Sequence, residues 1–222
     1  MGLFKRAFQR IFPAHRGFWD EERKRSLYLG LLLFVLALIV QVEAGSYSAR
    51  RAVGANPVGD MFLDNLPVLD LDFIIVQGAI VAAISTVVIF MARPRYLLFG
   101  IKAAALFIIL RSFFVDLTHV GIYPTSFDVG GIGSRVYNSL TFSGNFFFSG
   151  HTGFPFLMAL LFWRERFFRV LFLGISVFFG ASVLFAHVHY SIDVFAAPFI
   201  TYSIFVIARK LFPRDYAVVN AA

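Results

Sequence analysis

Apolar residues gather in six long blocks along the chain, near 27–46, 71–92, 96–116, 145–163, 168–187 and 191–212, with polar and turn-forming stretches between them. Each block is about 20 residues, enough at ~1.5 Å per residue to cross a ~30 Å hydrocarbon core as a helix. The pattern predicts an all-α fold: a polytopic six-transmembrane-helix bundle forming one integral membrane domain over residues 1–222. Ahead of the first block, Phe4, Phe8, Ile11 and Phe12 recur at helical spacing opposite Lys5, Arg6, Gln9 and Arg10. That is the pattern of a basic amphipathic helix lying in an anionic leaflet, so residues 1–25 are expected as a cytoplasmic interfacial segment. The apolar run that follows is too long for the core of a secretory signal peptide, and the first span is expected to stay.

Composition agrees with this reading. Of 222 residues, 59% are hydrophobic and 30 are Phe, and the mean hydropathy is +0.78. The absence of cysteine removes disulfides, thiolate metal sites and a cysteine nucleophile. A net charge of +7 could suggest nucleic acid, but the basic residues flank the apolar blocks, so no nucleic-acid partner is expected. Lys5, Arg6, Arg10, Arg16, Arg23, Lys24 and Arg25 precede the first span; Arg93 and Arg95, then Arg164, Arg166 and Arg169, then Arg209, Lys210 and Arg214 occupy alternate connections. The opposite connections carry only Arg50, Arg51 and Arg135. By the positive-inside rule both termini are cytoplasmic. The outer ends of spans four and six and the loop between spans five and six then share the exoplasmic or periplasmic surface, which brings His151, His189 and Asp193 together.

Titratable groups are costly inside a membrane and point to function. On a helix His189 and Asp193, four residues apart, lie ~40° from each other, whereas His187 and Asp193 differ by ~240°. Asp193 is therefore expected to orient His189, leaving its other nitrogen free as a nucleophile. The plainer alternative is that His189 sits at a water interface and Asp193 caps span six. His151 supplies the acid and base that a histidine nucleophile requires. With span four starting near Asn145, Ser149-Gly150-His151 falls in its first two turns, ~6–9 Å below the surface. There Gly150 leaves room for a phosphate and Ser149 offers a hydroxyl near a helix N-terminus.

Ser149-Gly150-His151-Thr152 followed by His189-Tyr190-Ser191-Ile192-Asp193 resembles the signatures of the type 2 phosphatidic acid phosphatase superfamily, and more closely its sphingomyelin-synthase-related branch. The resemblance covers roughly residues 96–212, the expected catalytic core. It implies a phosphohistidine at His189, orientation by Asp193, and proton transfer by His151 to the leaving group and from the acceptor. The superfamily's Lys-x6-Arg-Pro element is missing. Lys102 and Arg111 are nine apart, about 13 Å along a helix, and Ser112 follows the arginine. Lys102 is expected to snorkel to the cytoplasmic interface. Arg111-Ser112 with Thr118 and Pro124 resembles the third span of the synthase-related branch, so Arg111 is expected to stabilise phosphoryl charge; pairing with Asp116 is the alternative. Ser149, Gly150 and Tyr190 are expected at the substrate with it. Asn145 stands where synthases of that branch often carry an acidic residue.

Between spans three and four, Gly130-Gly131-Ile132-Gly133-Ser134-Arg135 fits no nucleotide-binding pattern and reads as a turn or flexible lid. His119 and Asp128 could join His151 and His189 at a metal, but a nucleophilic histidine needs its nitrogen free, so neither metal nor cofactor is expected. Three functions follow. The first is a lipid phosphotransferase moving a phospho-headgroup from a glycerophospholipid to a lipid alcohol. The second is a lipid phosphate phosphatase with water as acceptor, and the third a catalytically silent membrane scaffold. The partners expected are membrane lipids.

Overall fold

The computed structural model describes residue 15 and residues 17–52, 54–126 and 147–221. The amphipathic segment at Phe4–Phe12, Asp128, the glycine cluster at 130–135 and Asn145 lie outside them.

Among the described residues the fold is all-helical: α1 (Glu21–Ala52), α2 (Asp72–Ala92), α3 (Pro94–Leu117), α4 (Gly150–Leu161), α5 (Arg166–Phe185), α6 (Ser191–Leu211) and α7 (Pro213–Asn220). Five of these, α1, α2, α3, α5 and α6, are long and apolar enough to cross a membrane. α1 exceeds the expected 27–46 because Glu21 and Glu22 in its first turn and Arg50 and Arg51 in its last both complement the helix dipole. The two arginines expected in the first outer loop thus belong to a helix end. α1 and α2 expose many large apolar side chains, including Leu32, Ile39, Val81 and Ile84, as a lipid-facing surface requires.

Among the described residues the fourth block forms no helix long enough to cross a membrane. α4 has 12 residues, about 18 Å against a ~30 Å core. Ser149 is its N-cap, accepting the Thr152 amide on its hydroxyl at 3.4 Å, so the helix starts later than the Asn145 expected. Leu157, Met158, Ala159 and Phe162 are fully buried. Phe162, at the end of α4, packs against Tyr96 of α3 (ring centroids 4.4 Å) and Phe172 of α5 (5.9 Å). α4 is thus a short central helix enclosed by longer ones, and its polar start lies within the bundle, where non-helical backbone is tolerated because protein surrounds it.

Two sets of polar contacts close the ends. At one, Glu165 accepts from Arg93, from Arg95 (3.0 Å) and from the Tyr96 hydroxyl (2.7 Å). At the same end Lys102 is not snorkelling: it is buried, 2.6 Å from Asp215 of α7 and 2.7 Å from the Ser26 hydroxyl. α7 was not foreseen; Pro213 opens it at a position where proline is favoured.

At the other end three connections interlock. The Gly121 amide donates to Asn56 O at 3.0 Å, Tyr123 donates to Asp64, and the Leu69 amide donates to Phe185 O at 2.8 Å. The hydrogen bond to Asp64 pushes the Tyr123 phenol up to about 12. A Cβ at Gly121 would stand 2.3 Å from Ala55 O, so a side chain there forces two backbones apart. Gly121→Ala is expected to cost about 1–3 kcal/mol. Thermal unfolding in detergent measures this, and a melting temperature within about one degree of wild type would refute the crossing.

Candidate active site

α5 ends in a way that decides where His189 goes. The His187 amide donates to Leu184 O and the Val188 amide to Val183 O, each at 3.0 Å, while His187 adopts φ +53°. This is a Schellman termination with histidine at the left-handed position usually held by glycine. His187 Nδ1 lies 2.6 Å from Thr125 Oγ1, which anchors the ring in the loop layer. The chain then enters α6, and His189 precedes that helix.

The pairing of His189 with Asp193 therefore does not come from a shared helical face. Asp193 is the third residue of α6, and its carboxylate turns back in a capping box to accept the Tyr190 amide at 3.2 Å. The same oxygen, Oδ2, lies 3.3 Å from His189 Nδ1. Capping and imidazole orientation, set against each other as alternatives in the sequence, are carried by one carboxylate. Both residues are buried, His189 at 4% and Asp193 at 1% exposure, so no water competes for the contact.

The first motif reaches the same place through the backbone. The Ser149 amide donates to Asp193 O at 2.9 Å, joining the starts of α4 and α6. His151, half-buried in the first turn of α4, has its ring centroid 6.2 Å from that of His189 and 5.9 Å from Phe179. Pro155, four residues on in the same helix, has no N–H to donate.

Arg111 comes from α3, about 9 Å before that helix ends. Its Nε donates to Phe148 O at 3.0 Å. A Cβ at Gly150 would meet Arg111 Nε at 3.3 Å and Cζ at 3.6 Å. The room that the sequence reading assigned to a phosphate is therefore occupied by the guanidinium, which lies against the backbone one residue from His151.

Two other expected substrate contacts have structural partners. Ser149 is fully buried and caps α4. The Tyr190 hydroxyl donates to Gly121 O at 2.9 Å and accepts the Val58 amide at 3.3 Å. His119 packs edge-on against Tyr47, with centroids 5.4 Å apart. A cavity of about 440 Å³ adjoins Asp193, walled by Val58, Met61, Val120, Phe147 and Ile192 together with the polar Asp60, Thr118, Tyr190 and Ser191.

One residue at this site escaped the sequence reading. Asp60, in the first loop, accepts the Ser191 amide at 2.7 Å on Oδ2 and the Phe62 and Leu63 amides at 2.9 and 3.1 Å on Oδ1. Burial raises its carboxyl, but these backbone donors, Ser191 and Leu63 foremost, outweigh burial and hold it below the ordinary value.

An apolar helical bundle thus brings two histidines, an aspartate and an arginine together at the starts of α4 and α6, with His189 and Asp193 buried and His151 and Arg111 half-buried. Residues 143–210 match the family model for the PAP2 superfamily C-terminal region, which takes in His151, His189 and Asp193 and leaves Arg111 outside. The match covers less than half of the chain; it supports the PAP2 superfamily and, with it, lipid phosphatase-type chemistry in general. No curated protein matches the chain.

Proposed function

We propose that the protein is a membrane lipid phosphotransferase that moves a phospho-headgroup between lipids through a phosphohistidine at His189. The observation carrying this reading is the 3.3 Å approach of Asp193 to His189 Nδ1, with the His151 ring 6.2 Å away. Asp193 holds the Nδ1 proton, so Nε2 keeps its lone pair. In the first step Nε2 attacks phosphorus as the bond to the leaving lipid oxygen breaks, and protonated His151 gives that oxygen its proton. In the second step His151, now neutral, takes the proton of the acceptor hydroxyl, whose oxygen attacks phosphorus as the P–N bond breaks. Arg111 offsets charge on the phosphoryl oxygens. The scheme uses no cofactor.

The burial of His189 and the mostly apolar lining of the neighbouring cavity support a lipid acceptor over water. Hydrolysis is the second reading, favoured by the match to a phosphatase superfamily. The clustering of Arg93, Arg95, Lys102 and the terminal helices at the opposite end supports cytoplasmic termini and an exoplasmic site.

Purified protein given labelled phosphatidylcholine, phosphatidylethanolamine or phosphatidic acid, with and without ceramide or diacylglycerol, tests the choice. Label is expected on the acceptor lipid, and only when an acceptor is supplied. Free phosphate or phospho-headgroup released regardless of acceptor would move the assignment to a hydrolase, and no turnover of any donor would remove both.

A further inference from the structure

The start of α6 presents a competition between hydrogen-bond donors. A helix begins with amides that have no intrahelical acceptor, and an acidic side chain at the third position reaches back to accept the amide that precedes the helix. Asp193 is such a residue, and its Oδ2 serves the Tyr190 amide and His189. The Ser191 amide is taken instead by Asp60, from a loop 131 positions away in sequence, at 2.7 Å. Asp60 is itself buried and is fixed from its other side by the Phe62 and Leu63 amides. The loop bearing it is pinned in turn: Asp64 accepts the Asp60 amide at 3.2 Å and the Tyr123 hydroxyl, and Tyr190 accepts the Val58 amide.

We propose that Asp60 is a positioning residue for the His189–Asp193 pair: by accepting the Ser191 amide it leaves the Asp193 carboxylate free to hold the His189 imidazole. The inference rests on the reading of His189 as the reacting group. Without the Asp60 acceptor, the Ser191 N–H is an unpaired donor two residues from Asp193, in the same helical turn as the carboxylate that holds His189. A bundle that only needed its loop fastened could use contacts such as Gly121–Asn56 or Leu69–Phe185, which do not touch α6.

Asp60→Asn is isosteric but has one acceptor oxygen in place of two. With the two loop amides on that oxygen, an NH2 faces the Ser191 N–H. In the full-length protein in detergent, kcat is expected to fall about 10²-fold, the scale of a small misplacement of a reacting group, with KM nearly unchanged. The nitrogen resonances of His189, read by NMR on 15N-histidine-labelled protein, are expected to move toward a mixture of tautomers.

The decisive variant removes the competing donor. Ser191 is the first residue of α6, where proline is well accommodated, and Tyr190 before it has φ −63° and ψ 153°, the extended conformation a following proline requires. Ser191→Pro deletes the N–H together with the hydroxyl that also bonds Asp60, leaving neither donor unpaired, so Asp60→Asn with Ser191→Pro is expected to recover most of the lost kcat and the wild-type His189 resonances. A double variant no better than Asp60→Asn, or an Asp60→Asn protein with wild-type kcat and resonances, would overturn the proposal. If Asp60→Asn does not fold, Ser191→Pro alone serves: wild-type His189 resonances support the proposal and a changed tautomer refutes it. Because the NMR readout needs no turnover, an inactive wild-type protein whose His189 signals still depend on Asp60 would discard the phosphotransferase reading and keep the positioning role.

Discussion

His189→Ala is expected to abolish turnover of any phospholipid donor and to leave the bundle folded. The imidazole is the nucleophile of the first half-reaction and the leaving group of the second, and removing a covalent nucleophile costs about 10⁶-fold in enzymes that act this way. The fold should survive because the α6 capping box uses the Asp193 carboxylate and the Tyr190 amide, not the ring. Asp193→Asn separates orientation from folding. Asparagine keeps a carbonyl oxygen able to accept the Tyr190 amide, but its side chain no longer enforces the tautomer with a proton on Nδ1, a defect that costs about 10⁴-fold in the comparable triad. Trapping with a donor labelled at phosphorus adds a direct check, since acid-labile label on the wild-type protein must be missing from His189→Ala. Full activity in that variant would sink the phosphohistidine mechanism, whatever the substrate proves to be.

The contrast between these variants shows what one chain could reveal. α2, α3, α5 and α6 lie within two residues of the apolar blocks from which they were expected, because lipid selects for long uninterrupted apolar runs that need no partner to be recognised. α4 broke the rule for a local reason. Its apolar run is also near 20 residues, but Ser149 ends the helix at the point where its polar start meets α6, and Gly150 lets Arg111 settle against the backbone. A serine ahead of a helix is a visible cap signal, and Ser149 starts α4 later than the apolar block does.

His189 and Asp193 were paired in the sequence from helical spacing, although His189 is not helical. The two side chains meet at 3.3 Å by a different geometry: a Schellman turn at His187 and a capping box at Asp193 bend the chain so that residues four apart meet at a helix entrance. Asp60 and Asp215 carried no comparable signal. Each acts on a group more than a hundred residues away, and nothing in the local pattern around a lone loop aspartate names its distant partner. What was legible was what neighbours in sequence decide. What was missed is what the interlocked loops and the bundle floor decide.

Asp215→Ala is expected to destabilise the protein more than any other single change away from the site. Lys102 Nζ is 2.6 Å from Asp215 Oδ2 and 2.7 Å from Ser26 Oγ, which itself donates to Asp215 Oδ1 at 2.5 Å, so one carboxylate links α1, α3 and α7. The Lys102 ammonium also lies 5.3 Å from the Phe212 ring centroid. Residue exposure is 3% for Lys102 and 8% for Asp215. Removing the acid leaves a buried ammonium with a hydroxyl and a ring in place of its counter-charge, a loss of about 3–5 kcal/mol. The pair itself adds far less than that, because burying both charges forfeits their hydration. Lys102→Met with Asp215→Leu should therefore recover most of the stability lost in Asp215→Ala. Thermal unfolding of the three proteins in one detergent measures the order, and turnover adds a second axis. The pair sits at the end of the bundle away from His151 and His189, so the double variant should keep wild-type kcat. A double variant as unstable as Asp215→Ala would mean that the three helices need the charges themselves, and an Asp215→Ala protein as stable as wild type would mean that the link carries no load.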